Sequence, residues 1–180
     1  ETLRNQLNPH FLFNGLNTLI SFIESNDTRA STFAQNLSDF LKYLLNYHEE
    51  ELITVAQEIE IVNQYVYLQE ARFEDNLFFS CHLTPSTARS LIPPLTMQIL
   101  VENAIKHNEV AEEKPLQISV VEQGGFISFK NNLNQKLQNA SSGGSLATLQ
   151  ELYRLKTKSK MKVSKNEQEF TVIFPLIKLK

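Results

Sequence analysis

Two short stretches carry side chains that could do chemistry. The first is QLNPHFLFN, in which His10 follows Pro9 directly. At helical spacing His10, Asn14, Asn17 and Ser21 share one polar stripe, so the imidazole belongs to a face lined with amides. The second is LVENAIKHN, Leu100 to Asn108. On a helix Glu102, Asn103, Lys106 and His107 gather over adjacent turns, while Ile99, Leu100 and Ile105 can face a core. A carboxylate, an amide oxygen, an ammonium and an imidazole in one patch suit a hydrated magnesium ion and phosphate oxygens. Magnesium is commonly held by one or two oxygen ligands, waters and substrate phosphates. A solvated helix face has the same composition, since Glu–Lys neighbours are common there, and the residues of this stretch alone do not separate the two.

The elements around these stretches follow from pattern. Pro9 is tolerated in a first helical turn, so a helix can run on from it. Leu12, Leu16, Leu19, Ile20 and Ile23 recur at three- and four-residue spacing and predict an apolar stripe. Gly15 costs that helix about 1 kcal/mol relative to alanine and permits close approach by another segment. Ser25 to Asp27 reads as a turn, with Asp27 as N-cap of a second helix that places Ala30, Phe33, Ala34, Leu37, Leu41, Leu44 and Leu45 on one side. The short connection predicts an antiparallel helical hairpin. Thr54 and Gln57 form a capping-box pattern that opens a third helix through Ile59, Val62, Val66 and Ala71.

The pattern then changes. LFFSCHL (Leu77 to Leu83) reads as a strand, and a helix is expected from Pro94 through Asn108. LQISVVE and GFISFKN read as strands joined by Gly124–Gly125. Asn132 to Gly144 is polar, a helix is expected near Leu146 to Leu155, and the chain closes on another hairpin. The fold class is therefore α+β: an N-terminal helical hairpin over residues 1–50, then an α/β sandwich with a mixed or antiparallel sheet over 51–180.

The totals exclude several classes. With 180 residues, 42% of them apolar, the chain can bury a real core. A net charge of −3 argues against non-specific nucleic-acid binding, which a basic surface drives. Cys81 is the only cysteine, so no intrachain disulfide forms and a reducing compartment fits. It reads as a buried small hydrophobe. No run of roughly 18 apolar residues occurs. The chain begins without methionine and reads as a piece of something longer.

Taken together, QLNPHFLFN and LVENAIKH resemble the LytS-type sensor histidine kinases. LQEARF (Leu68 to Phe73), IPPLTMQILVENAIKH, KNNLNQK and EFTVIFPL extend the likeness in order along the chain. In that family the first motif is the phosphoacceptor H-box and the second the N-box of a GHKL-type ATP-binding domain. The resemblance implies that His10 accepts the γ-phosphoryl group of ATP and passes it to an aspartate on the receiver domain of a response regulator. A neutral imidazole is a competent nucleophile near pH 7. It implies that Asn103 holds Mg2+ and that Glu102 orients water or assists proton transfer. Lys106 and His107 would lie near the phosphates. Phe11 stands where many other kinases place an acid after the phosphoacceptor, so the proton acceptor has no name here. Asn14, one turn on, would orient a phosphoryl oxygen or a hydrolytic water. The resemblance also implies a homodimer through a four-helix bundle, and a cytoplasmic location next to an inner membrane reached through a segment outside this chain. His48 and His82 match no motif.

Two boxes depart from the family pattern. GHKL domains usually carry DxGxG, whose aspartate accepts a hydrogen bond from the adenine amino group. Here KNNLN puts Asn131 or Asn132 in that place, without the glycines. SGGSL stands where GxGL is expected, with Ser145 for the second glycine. Gly143 and Gly144 still let backbone amides approach phosphates. The leading expectation is an ATP-dependent protein histidine kinase. The alternative is a degenerate, non-catalytic module that binds a response regulator.

Overall fold

Pro9 opens helix α1 (Pro9–Glu24), which turns at Asn26 and Asp27 into helix α2 (Ala30–Asn46). The structure, a computed structural model, describes residues 9–46, 50–134 and 144–178. Asn26 supplies the positive φ of the turn, and the Asp27 carboxylate accepts the backbone N–H of Arg29 at 2.8 Å. Helix α1 packs through Phe11, Gly15, Leu19 and Phe22. At Gly15 a Cβ would stand 3.3 Å from a Leu37 methyl, so the glycine is what lets α1 and α2 approach there. Phe22 meets Phe33 edge-on at 5.4 Å, and Phe11 meets Phe40 at 5.2 Å.

The stripe expected on α1 is therefore displaced. Leu19 turns inward, but Leu16, Ile20 and Ile23 lie on the exposed side together with Phe13, which is 64% exposed. Phe11, Gly15, Leu19 and Phe22 make the inner face. On α2 the core residues are Phe33, Leu37, Phe40, Tyr43 and Leu44, while Leu45 faces out.

Helix α3 (Val55–Phe73) begins with the expected capping box: Thr54 Oγ1 accepts the Gln57 N–H, and Gln57 Oε1 accepts the Thr54 N–H. The two residues before it, β1 (Ile53–Thr54), pair antiparallel with β3 (Leu91–Ile92), a small ribbon the pattern did not announce. A 3₁₀ turn, Glu74–Asn76, leads into β2 (Leu77–His82). A one-turn helix α4 (Pro85–Ala88) follows, then α5 (Thr96–His107), β4 (Leu116–Gln123), β5 (Phe126–Asn132), α6 (Gly144–Thr157), β6 (Lys162–Lys165) and β7 (Glu169–Pro175). Helix α5 begins at Thr96 and not at Pro94, because Leu95 takes a left-handed backbone (φ 65°, ψ 8°) that cannot propagate a helix.

The sheet order is β2-β4-β5-β7-β6, with β2 parallel to β4 and every other pair antiparallel. The architecture is thus α+β, helices followed by a mixed sheet. Gly124 and Gly125, both at positive φ, make the two-residue turn between β4 and β5. Alternate residues Leu116, Ile118, Val120, Ile127, Phe129, Val172 and Phe174 are buried, so one sheet face carries the core. Helices α3 and α5 contact the sheet, and α6 packs on α5. The buried cluster is continuous from Phe33 in α2 to Phe174 in β7.

The Phe40 ring also touches Tyr65 of α3 at 5.3 Å. Phe40→Ala should destabilise the chain by about 3–5 kcal/mol. Leu45→Ala, at an exposed site, should stay within about 0.5 kcal/mol. Urea denaturation followed by circular dichroism measures both, and equal losses would contradict the facing of α2.

Candidate active site

Helix α5 carries the second motif, and its two ends are pinned. At the N-terminus Leu95 offers no side-chain cap. The acceptor comes from α3 instead. Glu58, fully buried, takes the N–H of Met97 at 3.0 Å and Gln98 at 3.1 Å on Oε1. On Oε2 it takes the N–H of Leu95 at 3.0 Å and the Tyr43 hydroxyl at 2.8 Å. Burial raises its pKa, and the four hydrogen bonds oppose that shift. At the C-terminus Asn108, also buried, donates to the Ala104 carbonyl at 2.8 Å and accepts the Asn134 N–H at 2.7 Å. Glu109 N–H reaches the Asn134 carbonyl at 2.7 Å. The end of α5 is thereby clipped to the chain leaving β5.

Between these pins α5 separates two cavities. The first, of about 210 Å³, is lined by Asn103, His107, Asn131, Leu133, Leu146 and Phe170. The second, of about 460 Å³, lies on the other side against α1 and α3 and is lined by Asn14, Thr18, Tyr65, Arg72, Glu102 and Lys106. The four-residue patch expected on α5 is thus two pairs. Residues four apart share a helix face, whereas neighbours are turned by a hundred degrees. Glu102 and Lys106 face α1, and Asn103 and His107 face β5. Gln98 donates to the Glu102 carboxylate at 3.2 Å. Burial, and then the negative charge of Glu102, push the Tyr65 hydroxyl pKa up.

Asn131 and Asn132 are distinct in their uses. Both ends of the Asn132 amide serve the sheet: its oxygen accepts the Gln117 N–H at 2.7 Å and its nitrogen donates to the Pro115 carbonyl at 2.9 Å. Asn131 is 2% exposed and donates its Nδ2 to the Asn132 carbonyl at 2.7 Å, but its buried Oδ1 has no hydrogen-bond partner among the described residues. A buried acceptor left unmade is costly, so an oxygen of this kind beside a cavity marks a place for a donor. That is the property required of a residue that receives a base amino group.

The remaining expected residues fall as follows. His10 lies in the first turn of α1, one turn before Asn14, and its side chain is outside the described positions. Gly143 lies outside the described residues, and Gly144 opens α6, whose Leu146 lines the smaller cavity. Among the described residues no group of three or more His, Cys, Asp or Glu could hold a metal ion. A magnesium ion here would rest on the Asn103 amide oxygen, phosphates and water, which fits its habit. Sequence reasoning missed Glu58, Asn108 and Tyr43. Glu58 had a signal: it is the one charged residue on the buried stripe Val55, Glu58, Ile61, Val62 and Tyr65.

Residues 1–77 match the histidine kinase family. The sensor protein LytS of Staphylococcus haemolyticus is 37% identical over 67% of this chain and 21% of its own length. The sensor histidine kinase BtsS of Escherichia coli is 36% identical over 80% of this chain and 27% of its own length. The chain therefore spans about a fifth to a quarter of these curated relatives. The solved Acinetobacter baumannii histidine kinase AdeS aligns with a TM-score of 0.46 and 15% identity, over 87% of this chain and 84% of that one. Among the described residues no helix is long and apolar enough to cross a membrane.

The Asn108 clip is testable without any ligand. Asn108→Ala removes the donor to the Ala104 carbonyl and leaves the half-buried Asn134 N–H without its acceptor, at an expected cost of about 1–3 kcal/mol. Chemical denaturation measures the loss, and a neutral result would mean that α5 does not depend on the clip.

Proposed function

We propose, for a chain that belongs to the LytS-type sensor histidine kinases, that it is the phosphoacceptor and nucleotide-binding portion of a two-component protein kinase. In this reading residues 1–50 form the dimerisation and phosphoacceptor hairpin and residues 51–180 the ATP-binding domain. The observation that carries it is the unpartnered buried oxygen of Asn131 in the same cavity as Asn103 and His107. A volume of about 210 Å³ falls below the roughly 300–1,000 Å³ of a pocket for a whole drug-sized ligand, so it suits the base alone. The phosphates would extend past Asn103 and His107 toward the start of α6 at Gly144.

The reaction needs positioning and charge neutralisation more than covalent help from the protein. A ring nitrogen of His10 attacks the γ-phosphorus. A P–N bond forms, the bridging P–O bond breaks, ADP carries away that electron pair, and the imidazole gives up its proton. Asn131 would hold the base, Asn103 the magnesium that screens the phosphates, and His107 a further hydrogen bond, whereas Lys106, expected beside them, lines the other cavity with Glu102. Glu102 and Asn14 face one cavity beside the acceptor helix, where an acid and an amide can orient a water or a phosphoryl oxygen. The phosphoryl group then passes to an aspartate of a response regulator. The exposed apolar side of α1, with Phe13, Leu16, Ile20 and Ile23, supports a second copy as partner in a homodimer. The whole protein would be a sensor anchored at the membrane through a segment outside this chain. The missing glycines after Asn131 favour the competing reading, a module that binds a response regulator without catalysis.

Incubation with γ-labelled ATP and Mg2+ should label the chain with an acid-labile, base-stable phosphate, and His10→Ala should abolish the label while leaving nucleotide affinity nearly unchanged. Label on the mutant would remove His10 from its role. Asn131→Ala should weaken ATP by about 1 kcal/mol, roughly fivefold, without weakening GTP, which presents a carbonyl where ATP presents an amino group. Aspartate is a poorer replacement than its charge suggests, because it would turn an anionic oxygen toward the Asn132 carbonyl that now receives the Asn131 amide. Calorimetry with both nucleotides is the measurement. Equal losses, or no binding by any variant, would favour the non-catalytic module.

A further inference from the structure

We infer that Glu58 is a positioning residue that ties the acceptor hairpin to the nucleotide helix, with the Tyr43 hydroxyl as the link. The inference rests on the kinase reading for its consequence, but its geometry stands without it. Helix α5 could have been capped locally by a serine, threonine or aspartate at position 95, at little desolvation cost. Leu95 stands there instead, and the amides of Leu95, Met97 and Gln98 are served by a carboxylate from another helix. Such a cap does one thing a local cap cannot: it fixes α5 relative to α3. The fourth donor extends the tie. Tyr43 belongs to α2, and its hydroxyl shares Oε2 with the Leu95 N–H.

Both ends of this junction lead to the proposed chemistry. Asn103 lies seven residues into α5 from Thr96, about 10 Å along the axis, so any slide or tilt of the capped end is carried to it. Tyr43 follows Phe40 by one turn of α2, and Phe40 packs on Phe11, the neighbour of the proposed phosphoacceptor. Phe11 also rests on Tyr65 of α3, at 5.2 Å. The hairpin that offers His10 and the helix that offers Asn103 are thus registered against one buried carboxylate.

The link is tested in the intact chain with Tyr43→Phe, Glu58→Gln and the double variant. Tyr43→Phe removes one oxygen from a well-packed ring and is expected to fold. Glu58→Gln keeps the shape but turns an NH2 toward amide donors. Without nucleotide, hydrogen exchange read by NMR should be several-fold faster at the Leu95 amide in Tyr43→Phe, with Met97 and Gln98, which bond the other oxygen, less affected. With MgATP, Tyr43→Phe should slow His10 labelling by about tenfold, the scale of ordinary site-to-site coupling. Its KM for ATP should stay within about twofold, because the remaining three bonds still hold α5. Glu58→Gln should raise that KM, and the double variant should be no slower than Glu58→Gln alone. A purely structural hydroxyl would lower the melting temperature and move neither Leu95 exchange nor the labelling rate at saturating ATP. That result overturns the inference. If the wild-type chain labels no histidine, the kinase reading falls, and Leu95 exchange alone decides the link. Should Glu58→Gln fail to fold, Tyr43→Phe carries the test.

Discussion

A helix begins with amides that have no partner within it, and the structure depends on how helix α5 meets that requirement. Ile99 reaches the Leu95 carbonyl, but Met97 and Gln98 must find an acceptor in a place closed to water. Glu58 supplies it. Burying an ionised carboxylate costs several kcal/mol even after relaxation. Hydrogen bonds to a charged group return about 1.5–3 kcal/mol each, and there are four. The positive end of the α5 dipole adds to them. The sums are close enough that the carboxylate is better understood as a geometric device than as a source of stability. Either partner without the other would be costly, so the helices must meet in one arrangement.

That arrangement makes a single helix serve two cavities. A motif such as LVENAIKHN looks like one cluster when written as a line, but a helix turns successive residues away from each other. Asn103 and His107 join β5, where Asn131 has an oxygen to offer. Glu102 and Lys106 join α1, where Asn14 waits one turn beyond His10. The separation suits a transfer reaction. In the proposed reaction, groups that would hold the donor face one way and groups that would act on the acceptor face the other, with one helix between them.

Much of this could be read from local pattern. The capping box at Thr54, the glycine turn at Gly124–Gly125 and the strand LFFSCHL each depend on residues close in sequence, and each formed where expected. The facing of α1 did not follow, whereas on α2 Phe33, Leu37 and Leu44 face the core as expected and Leu45 does not. Hydrophobic periodicity finds an apolar side but cannot choose among several when a helix is apolar nearly all round. Phe11 and Phe22 face inward where α2 and α3 place aromatic rings opposite them, and Gly15 where it admits Leu37. The β1–β3 ribbon, two residues a strand, is too short to leave a pattern. The start of α5 was missed because Pro94 looks like a first-turn proline, and nothing local marks Leu95 for a left-handed backbone; that conformation is set by a carboxylate 37 residues earlier.

The same reasoning explains how Asn131 and Asn132, adjacent and chemically identical, come to differ. Strand residues alternate faces, so one side chain of the pair must point away from the other. Asn132 ends β5, where its oxygen accepts the Gln117 N–H and its nitrogen donates to the Pro115 carbonyl, so both ends of its amide are bonded. Asn131 lines the cavity beside α5 together with Asn103, His107, Lys165, Leu146 and Phe170, and its oxygen has no hydrogen-bond partner among the described residues. An amide that only needed to fill space could have been a leucine at lower cost. A half-satisfied amide in an apolar cavity is stable in company with a ligand that brings the missing donor, and a flat ring edged with an amino group has that shape and chemistry. The sequence without its glycines thus retains, in one oxygen, the feature on which recognition of the base would turn.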